Sequence, residues 1–188
     1  MKDIIKNYLD RLHDITKNHD WQSTEDLSDV LLNSIEQRKR VFICGNGGSA
    51  GNAIHLANDF LYGIEPNGNS LNVEALSANT SVLTCLGNDL GYEHIFSHQL
   101  QVKADSGDVL IVLSGSGNSP NIVRALEVGN KLNMQTVAIL GFQGGKAKHV
   151  AQQVIHFHID DMQIAEDLQL IVGHMLMQHL NQKLKNQA

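Results

Sequence analysis

Cysteine is scarce in this chain: its 188 residues contain only Cys44 and Cys85. Both are expected in apolar surroundings, and neither belongs to a CxxC pair. A cysteine-ligated metal fold is therefore excluded, and two free thiols fit a reducing compartment. Basic charge is scarce as well. Fourteen Lys and Arg stand against 20 Asp and Glu, a formal net charge of −6, with ten histidines counted neutral. The electrostatic footprint of a nucleic-acid binder is missing. The one basic cluster, Arg38-Lys39-Arg40, reads as the solvated end of a helix ahead of a strand. There is no run of about 18 apolar residues and no N-terminal apolar export signal, so no membrane partner is expected and a cytoplasmic location is. No composition break or low-complexity tract divides the chain. It reads as one domain over 1–188, with N-terminal helices over 1–38 and an α/β core with a C-terminal helix over 39–188.

What is present is an alternation of strand and helix periods. Ile5, Leu9, Leu12 and Ile15 recur at helical spacing over 3–18. Ser23 then reads as the N-cap of a second helix carrying Leu27, Val30, Leu31 and Ile35. Strands are predicted over 41–44, 72–76, 82–86, 109–113, 135–140 and 154–158. Helices are predicted over 50–62, 92–103, 119–131, 145–151 and 162–184, and 63–70 is a polar loop. The pattern predicts a three-layer, doubly wound, mostly parallel sheet with added N-terminal helices and a ligand at the carboxyl ends of its strands. Leu168, Ile171, Val172, Met175 and Leu176 give the last helix a wide apolar stripe. With the N-terminal helices it suggests subunit contact.

Two strand-to-helix turns carry the chemistry. Cys44-Gly45-Asn46-Gly47-Gly48-Ser49 follows Val41-Phe42-Ile43, and Ser114-Gly115-Ser116-Gly117-Asn118-Ser119-Pro120 follows Val109 to Leu113. Glycines let the backbone close on a ligand, and the next helix offers free N–H groups and a positive dipole to an anion. The first turn also fits the dinucleotide fingerprint GxGxxG/A, with Glu74 where a ribose-binding acid would stand. The second turn argues against that reading. An ordinary turn capped at Asn118 or Ser119 explains one hydroxyl, whereas three hydroxyls beside backbone N–H groups make a cradle for a phosphate monoester. No Gly-Lys-Ser/Thr follows either turn, so a P-loop is excluded.

His55 and Asp59 stand at i and i+4 on the first of these helices and face the same way, as a surface pair, a metal pair or an acid/base couple. Glu166 and His174 lie on the last helix, about 12 Å apart along its axis and ~80° around it. One ion is poorly served by both, so one of them is expected to reach the site from a symmetry-related chain. The other histidines read as surface or core residues.

The motifs CGNGGSAGNAIH, Gly87-Asn88-Asp89, SGSGNS and Gly144-Gly145-Lys146 together resemble those of sugar isomerase (SIS) domains, and closely those of bacterial phosphoheptose isomerases. The resemblance spans almost the whole chain. It implies a homotetramer with sites at subunit interfaces, converting sedoheptulose 7-phosphate to a glycero-manno-heptose 7-phosphate for lipopolysaccharide or other surface glycans, with Zn2+ in the site. By position it puts phosphate at Ser114, Gly115, Ser116 and Ser119. The sugar falls to Asn46, Gly47, Gly48, Ser49, Asn88 and Asp89, and metal and catalysis to His55, Asp59, Glu166 and His174.

Five positions depart from that pattern. Asp59 stands for a glutamate, Glu166 for a glutamine, Gly63 for an arginine, Gln163 for an aspartate and Gly115 for a threonine. Asp59 and Glu166 keep oxygen donors, so four zinc ligands remain. Aspartate is shorter by roughly 1.5 Å, and a ~1 Å misplacement of a reacting group costs about 100-fold in rate. The expected chemistry has Asp59 or Glu166 removing a proton beside the carbonyl and His174 moving one at oxygen. The metal, or Ser49 with its neighbouring N–H groups, steadies the enediolate. Two alternatives stay open: a non-catalytic SIS regulator that binds the replication initiator, and an isomerase of a different sugar phosphate.

Overall fold

Alternation of period two builds the centre of the molecule. In the computed structural model, which describes residues 1–186, five parallel strands form one sheet. They are β1 (Arg40–Gly45), β2 (Asn72–Ala75), β3 (Val109–Ser114), β4 (Gln135–Leu140) and β5 (Gln153–His156), in the order β2-β1-β3-β4-β5. Val41, Ile43, Ile111 and Ile139 face one layer, while Phe42, Cys44, Val112 and Leu140 face the other, all fully buried or nearly so. Near-continuous apolar strands are what a sheet covered on both faces requires. Cys44 has no exposure, and burial pushes its thiol up.

The first layer holds α2 (Gln22–Glu36), α3 (Gly48–Asn58) and α8 (Met162–Lys185), and α1 (Lys2–Lys17) leans on it. The second holds α5 (Ser97–Lys103) and α6 (Pro120–Lys131), flanked by α4 (Thr80–Asp89) and α7 (Ala147–Val150). The strand order reverses direction between β1 and β3, which opens a crevice at their carboxyl ends. Both glycine- and serine-rich turns lie there. None of the described helices is long and apolar enough to cross a membrane.

Four expectations need correction. Residues 82–86 are not a strand but the middle of α4, capped by Asn79, whose Oδ1 accepts from the Val82 N–H at 3.1 Å. A short apolar run fits either period, and Leu83 and Leu86 pack against the second layer at helical spacing. Cys85, on that helix, is therefore exposed beside Asp89, whose carboxylate raises its thiol. Ser23 sits inside α2 rather than at its cap, because Asp20 Oδ1 already takes the Gln22 N–H and turns the chain earlier. Arg40 and Lys39 are not merely solvated: Arg40 pairs with Asp105 and Asp108, and Lys39 Nζ donates to Ser106 O.

α1 is tethered to α8 rather than packed deep. Tyr8 donates to Asp167 at 2.6 Å, and Arg11 pairs with Asp161 at 2.7 Å. Desolvation first, and the Asp167 carboxylate second, push the Tyr8 hydroxyl up to about 12. The far side of α1 leaves Ile4, Ile5 and Leu9 at 67%, 50% and 57% exposure.

Candidate functional site

The first turn closes because three glycines are needed in it. A side chain at Gly45 would strike the Ser49 backbone carbonyl at 2.6 Å, and Gly47 holds φ +55°. At Gly48 the space beside the backbone belongs to the Glu166 carboxylate, which α8 brings to the start of α3. Ser49 is 3% exposed, and its Oγ accepts from Gln169 Nε2 at 3.0 Å. Gln169 Oε1 accepts from Asn52 Nδ2 at 3.0 Å, and Asn52 Nδ2 also donates to the Glu166 carbonyl. That chain of amides fixes Glu166 and Ser49 side by side.

The serine loop is pinned from within. Ser114 Oγ accepts from the Gly117 N–H at 3.0 Å, and Ser116 Oγ accepts from the Asn118 N–H at 3.3 Å. Gly117 takes φ +66° against the backbone of Gly144. Asn118 Oδ1 accepts from the Lys146 N–H, and Gly117 O from the Ala147 N–H, so the Gly144-Gly145-Lys146 segment props the loop. Ser119 is the N-cap of α6 with Pro120 in its first turn. This helix has 12 residues; Pro120 carries no N–H, and the Ile122 and Val123 N–H groups donate to Ser119 O, which leaves the Asn121 N–H in its first turn. A side chain at Gly115 would meet Met162 Sδ at 2.5 Å, so the thioether fills the corner that a larger residue would occupy. Asn88 and Asp89 end α4 on the exposed rim, the Asn88 amide donating to Asp89 at 2.7 Å.

His55, Asp59 and His174 come together. The two imidazole Nε2 atoms are 2.9 Å apart, and Asp59 Oδ2 lies 3.4 Å from one and 3.5 Å from the other. Two structural details allow this. Gly173 has no side chain because Leu56 fills the space, so α3 and α8 approach closely. Asp59 opens a π-helical turn, Asp59–Gly63, which redirects the end of α3. Tetrahedral zinc with bonds near 2.0–2.1 Å sets its ligand atoms about 3.3–3.5 Å apart; the two imidazole–carboxylate distances match this, and the imidazole pair would open by about 0.4 Å to hold such an ion with one position free. The set is half open to solvent, the His55 and His174 side chains being 49% and 42% exposed.

Glu166 does not join that group among the described residues. It stands a helix length away at Gly48, as its separation from His174 on α8 requires. His174 meets His55 and Asp59 of its own chain. A side chain at Gly63 would meet Met177 Sδ at 3.3 Å, and Gln163 is exposed on the first turn of α8.

Sequence reasoning missed Asn121, Gln169, Asn52 and Tyr92. Asn121 is 1% exposed and exchanges two hydrogen bonds with Asn46. A polar residue on an amphipathic helix gives no sequence sign of which turn it will face; its place two residues past Ser119 was the only hint. His156 was read as a bland histidine, yet its Nε2 contacts the Phe142 carbonyl at 3.1 Å.

The SIS domain family matches residues 5–141. The phosphoheptose isomerase of Akkermansia muciniphila is 36% identical over 160 residues, 85% of each chain. That of Helicobacter pylori strain P12 is 34% identical over 177 residues, 93% of this chain and 87% of the relative. Among solved structures, a phosphoheptose isomerase from Francisella tularensis superposes with a TM-score of 0.90 at 25% identity, covering 96% of this chain and 97% of its own.

Proposed function

This chain belongs to the SIS-domain phosphoheptose isomerase family and is a phosphosugar isomerase, and from that premise we propose that it interconverts sedoheptulose 7-phosphate and D-glycero-D-manno-heptose 7-phosphate. The observation that carries the substrate is the identity of 36% and 34% to enzymes of that name over most of both chains. The two turns at the β1/β3 crevice agree with it, one built for an anion and one for a hydroxylated chain. The product supplies heptose for a surface glycan, in the cytoplasm.

Ser114, Gly115, Ser116 and Ser119 hold the phosphate through hydroxyls and backbone N–H groups of the loop. Asn46, Gly47, Gly48, Ser49, Asn88 and Asp89 meet the open-chain sugar. A carboxylate takes the proton from the carbon beside the carbonyl and returns it to the neighbouring carbon: Asp59 beside His174 of the same chain, or Glu166 where a subunit contact brings it to the histidine cluster of another chain. His174 moves the proton between the two oxygens, so the exchange balances without a redox partner. Ser49 and the N–H groups at the start of α3 face the negative charge that develops on oxygen. His55, Asp59 and His174 would hold zinc, which as a Lewis acid polarises an oxygen of the substrate.

A homotetramer with sites at subunit contacts completes the reading. What supports an oligomer is the uncovered face of Ile4, Ile5 and Leu9 on α1. Purified protein should convert sedoheptulose 7-phosphate to the aldose and carry about one zinc per chain, most of it lost in Asp59→Asn. Inert wild-type protein would overturn the substrate. A metal-free, fully active one would remove zinc from the mechanism.

A further inference from the structure

Asn46, Asn121 and Tyr92 come from the three segments that frame the crevice. Asn46 follows β1, Asn121 is in the first turn of α6 beyond the serine loop, and Tyr92 opens the 3-10 turn after α4. Their side chains form one network. Asn46 Nδ2 donates to Asn121 Oδ1 at 2.9 Å, and Asn121 Nδ2 donates back to Asn46 Oδ1 at 2.8 Å. The Tyr92 hydroxyl donates to the same Asn46 Oδ1 at 3.0 Å.

A reciprocal amide pair by itself has two equivalent arrangements, related by turning both amides over together. Tyr92 adds a third contact to the pair. Turned over, Asn46 would place an N–H there and the phenol oxygen would accept it, so the network keeps its three bonds in either arrangement and holds the plane of the Asn46 amide. Asn121 is 1% exposed, so water does not replace a bond broken on its side. In either arrangement three of the four hydrogen-bonding positions of the Asn46 amide are taken, and one is left for a ligand.

We propose that Asn121 and Tyr92 are positioning residues that lock the plane of the Asn46 amide, so that it offers the sugar a single hydrogen-bonding position at a fixed place. This rests on the sugar-binding role given to Asn46 above. The lock also ties the sugar turn to the phosphate helix, so the two ends of one ligand are held in register.

The test is a mutant cycle on the intact protein, using sedoheptulose 7-phosphate turnover and competition by inorganic phosphate. Tyr92→Phe, at an exposed ring, should raise KM about threefold with Tm unchanged, and Asn121→Asp, which accepts but cannot donate, about tenfold with a lower Tm because its carboxylate is buried, both with phosphate inhibition unchanged. In an Asn46→Ala background both should be silent. An effect that persists in that background, or an equal loss of phosphate affinity, would overturn the lock. If wild-type protein does not turn over the heptulose phosphate, the substrate fails separately. The lock is then read from the side-chain amide signals of Asn46, identified by their loss in Asn46→Ala. Signals that shift in Tyr92→Phe and in Asn121→Asp support it, and unchanged signals overturn it.

Discussion

Ser116 accepts a hydrogen bond from the Asn118 N–H, which leaves its own hydroxyl proton free to point into the crevice. Removing that proton should cost phosphate contacts made equally in the ground and transition states. Ser116→Ala is therefore expected to raise KM about tenfold with little change in kcat, and to weaken inorganic-phosphate inhibition by a similar factor. Unchanged inhibition would move the phosphate out of this loop. Ser116 and His55 were legible in the chain because the surrounding spacing states their neighbours: a serine-glycine turn after a strand, and an i, i+4 pair on a helix. Gln169 was not. Its partners Ser49 and Asn52 lie on α3, over 110 residues away in sequence, and only the packing of α8 on α3 brings them to it.

Helix α8 shows the same limit for whole elements. Its apolar stripe was readable, and so was its extent: 162–184 against the observed Met162–Lys185. Its start is fixed by Asp161, whose Oδ1 accepts from the Ile164 N–H at 3.1 Å while Oδ2 pairs with Arg11 of α1. The Ile164 N–H first, and Arg11 after it, hold the Asp161 carboxyl below its usual value. Asp161→Ala removes both contacts. The expected loss is about 1–2 kcal/mol, a Tm lower by roughly 3–6 °C in a chain of this size. An unchanged Tm would show that neither the cap nor the tether of α1 matters to folding. The opposite case is α4, misread as a strand because its apolar residues are few and close together. Its capping asparagine, Asn79, was the signal that could have corrected it.

For the whole molecule, one consequence concerns which groups share a chain. His55 and His174 meet within one subunit, so co-refolded mixtures of His55→Ala and His174→Ala chains should regain no activity. A Ser116→Ala and His174→Ala mixture should regain some if a site at a subunit contact combines the serine loop of one subunit with the histidine cluster of another. Recovery in the first mixture would break the single-chain cluster, and failure in the second, with mixed oligomers shown, would confine each site to one chain.

A second consequence concerns pH. Desolvation lowers both His19, ringed by Trp21 and Phe157 with Asp20 opposing the shift, and His156, pushed further by His158 and Lys148 against the Phe142 carbonyl. Arg11, Asp14 and Asp20 border the same hollow. Their folded values lie below the unfolded 6.5, so the stability they add is complete above that pH and is lost as pH falls through the folded values. Tm should drop between about pH 7.5 and about pH 5.5, and less in His19→Phe, which keeps the ring packing without the titration. Equal pH slopes in both proteins would clear His19 of the effect.

The sequence by itself determined the local grammar: five of the six predicted strands, the two ligand turns, and the pairing of His55 with Asp59. Each of these is written in residues close together along the chain, where a glycine, a cap or an apolar period acts over a few bonds. The tertiary structure alone decided that Glu166 stands at Gly48 and His174 at His55, and that Met162 fills the corner at Gly115. It also decided that Asn121 and Tyr92 close on Asn46. Those contacts join elements brought together only when the apolar faces of α3, α6 and α8 are buried against the sheet, and nothing local to any one of these residues encodes its partner.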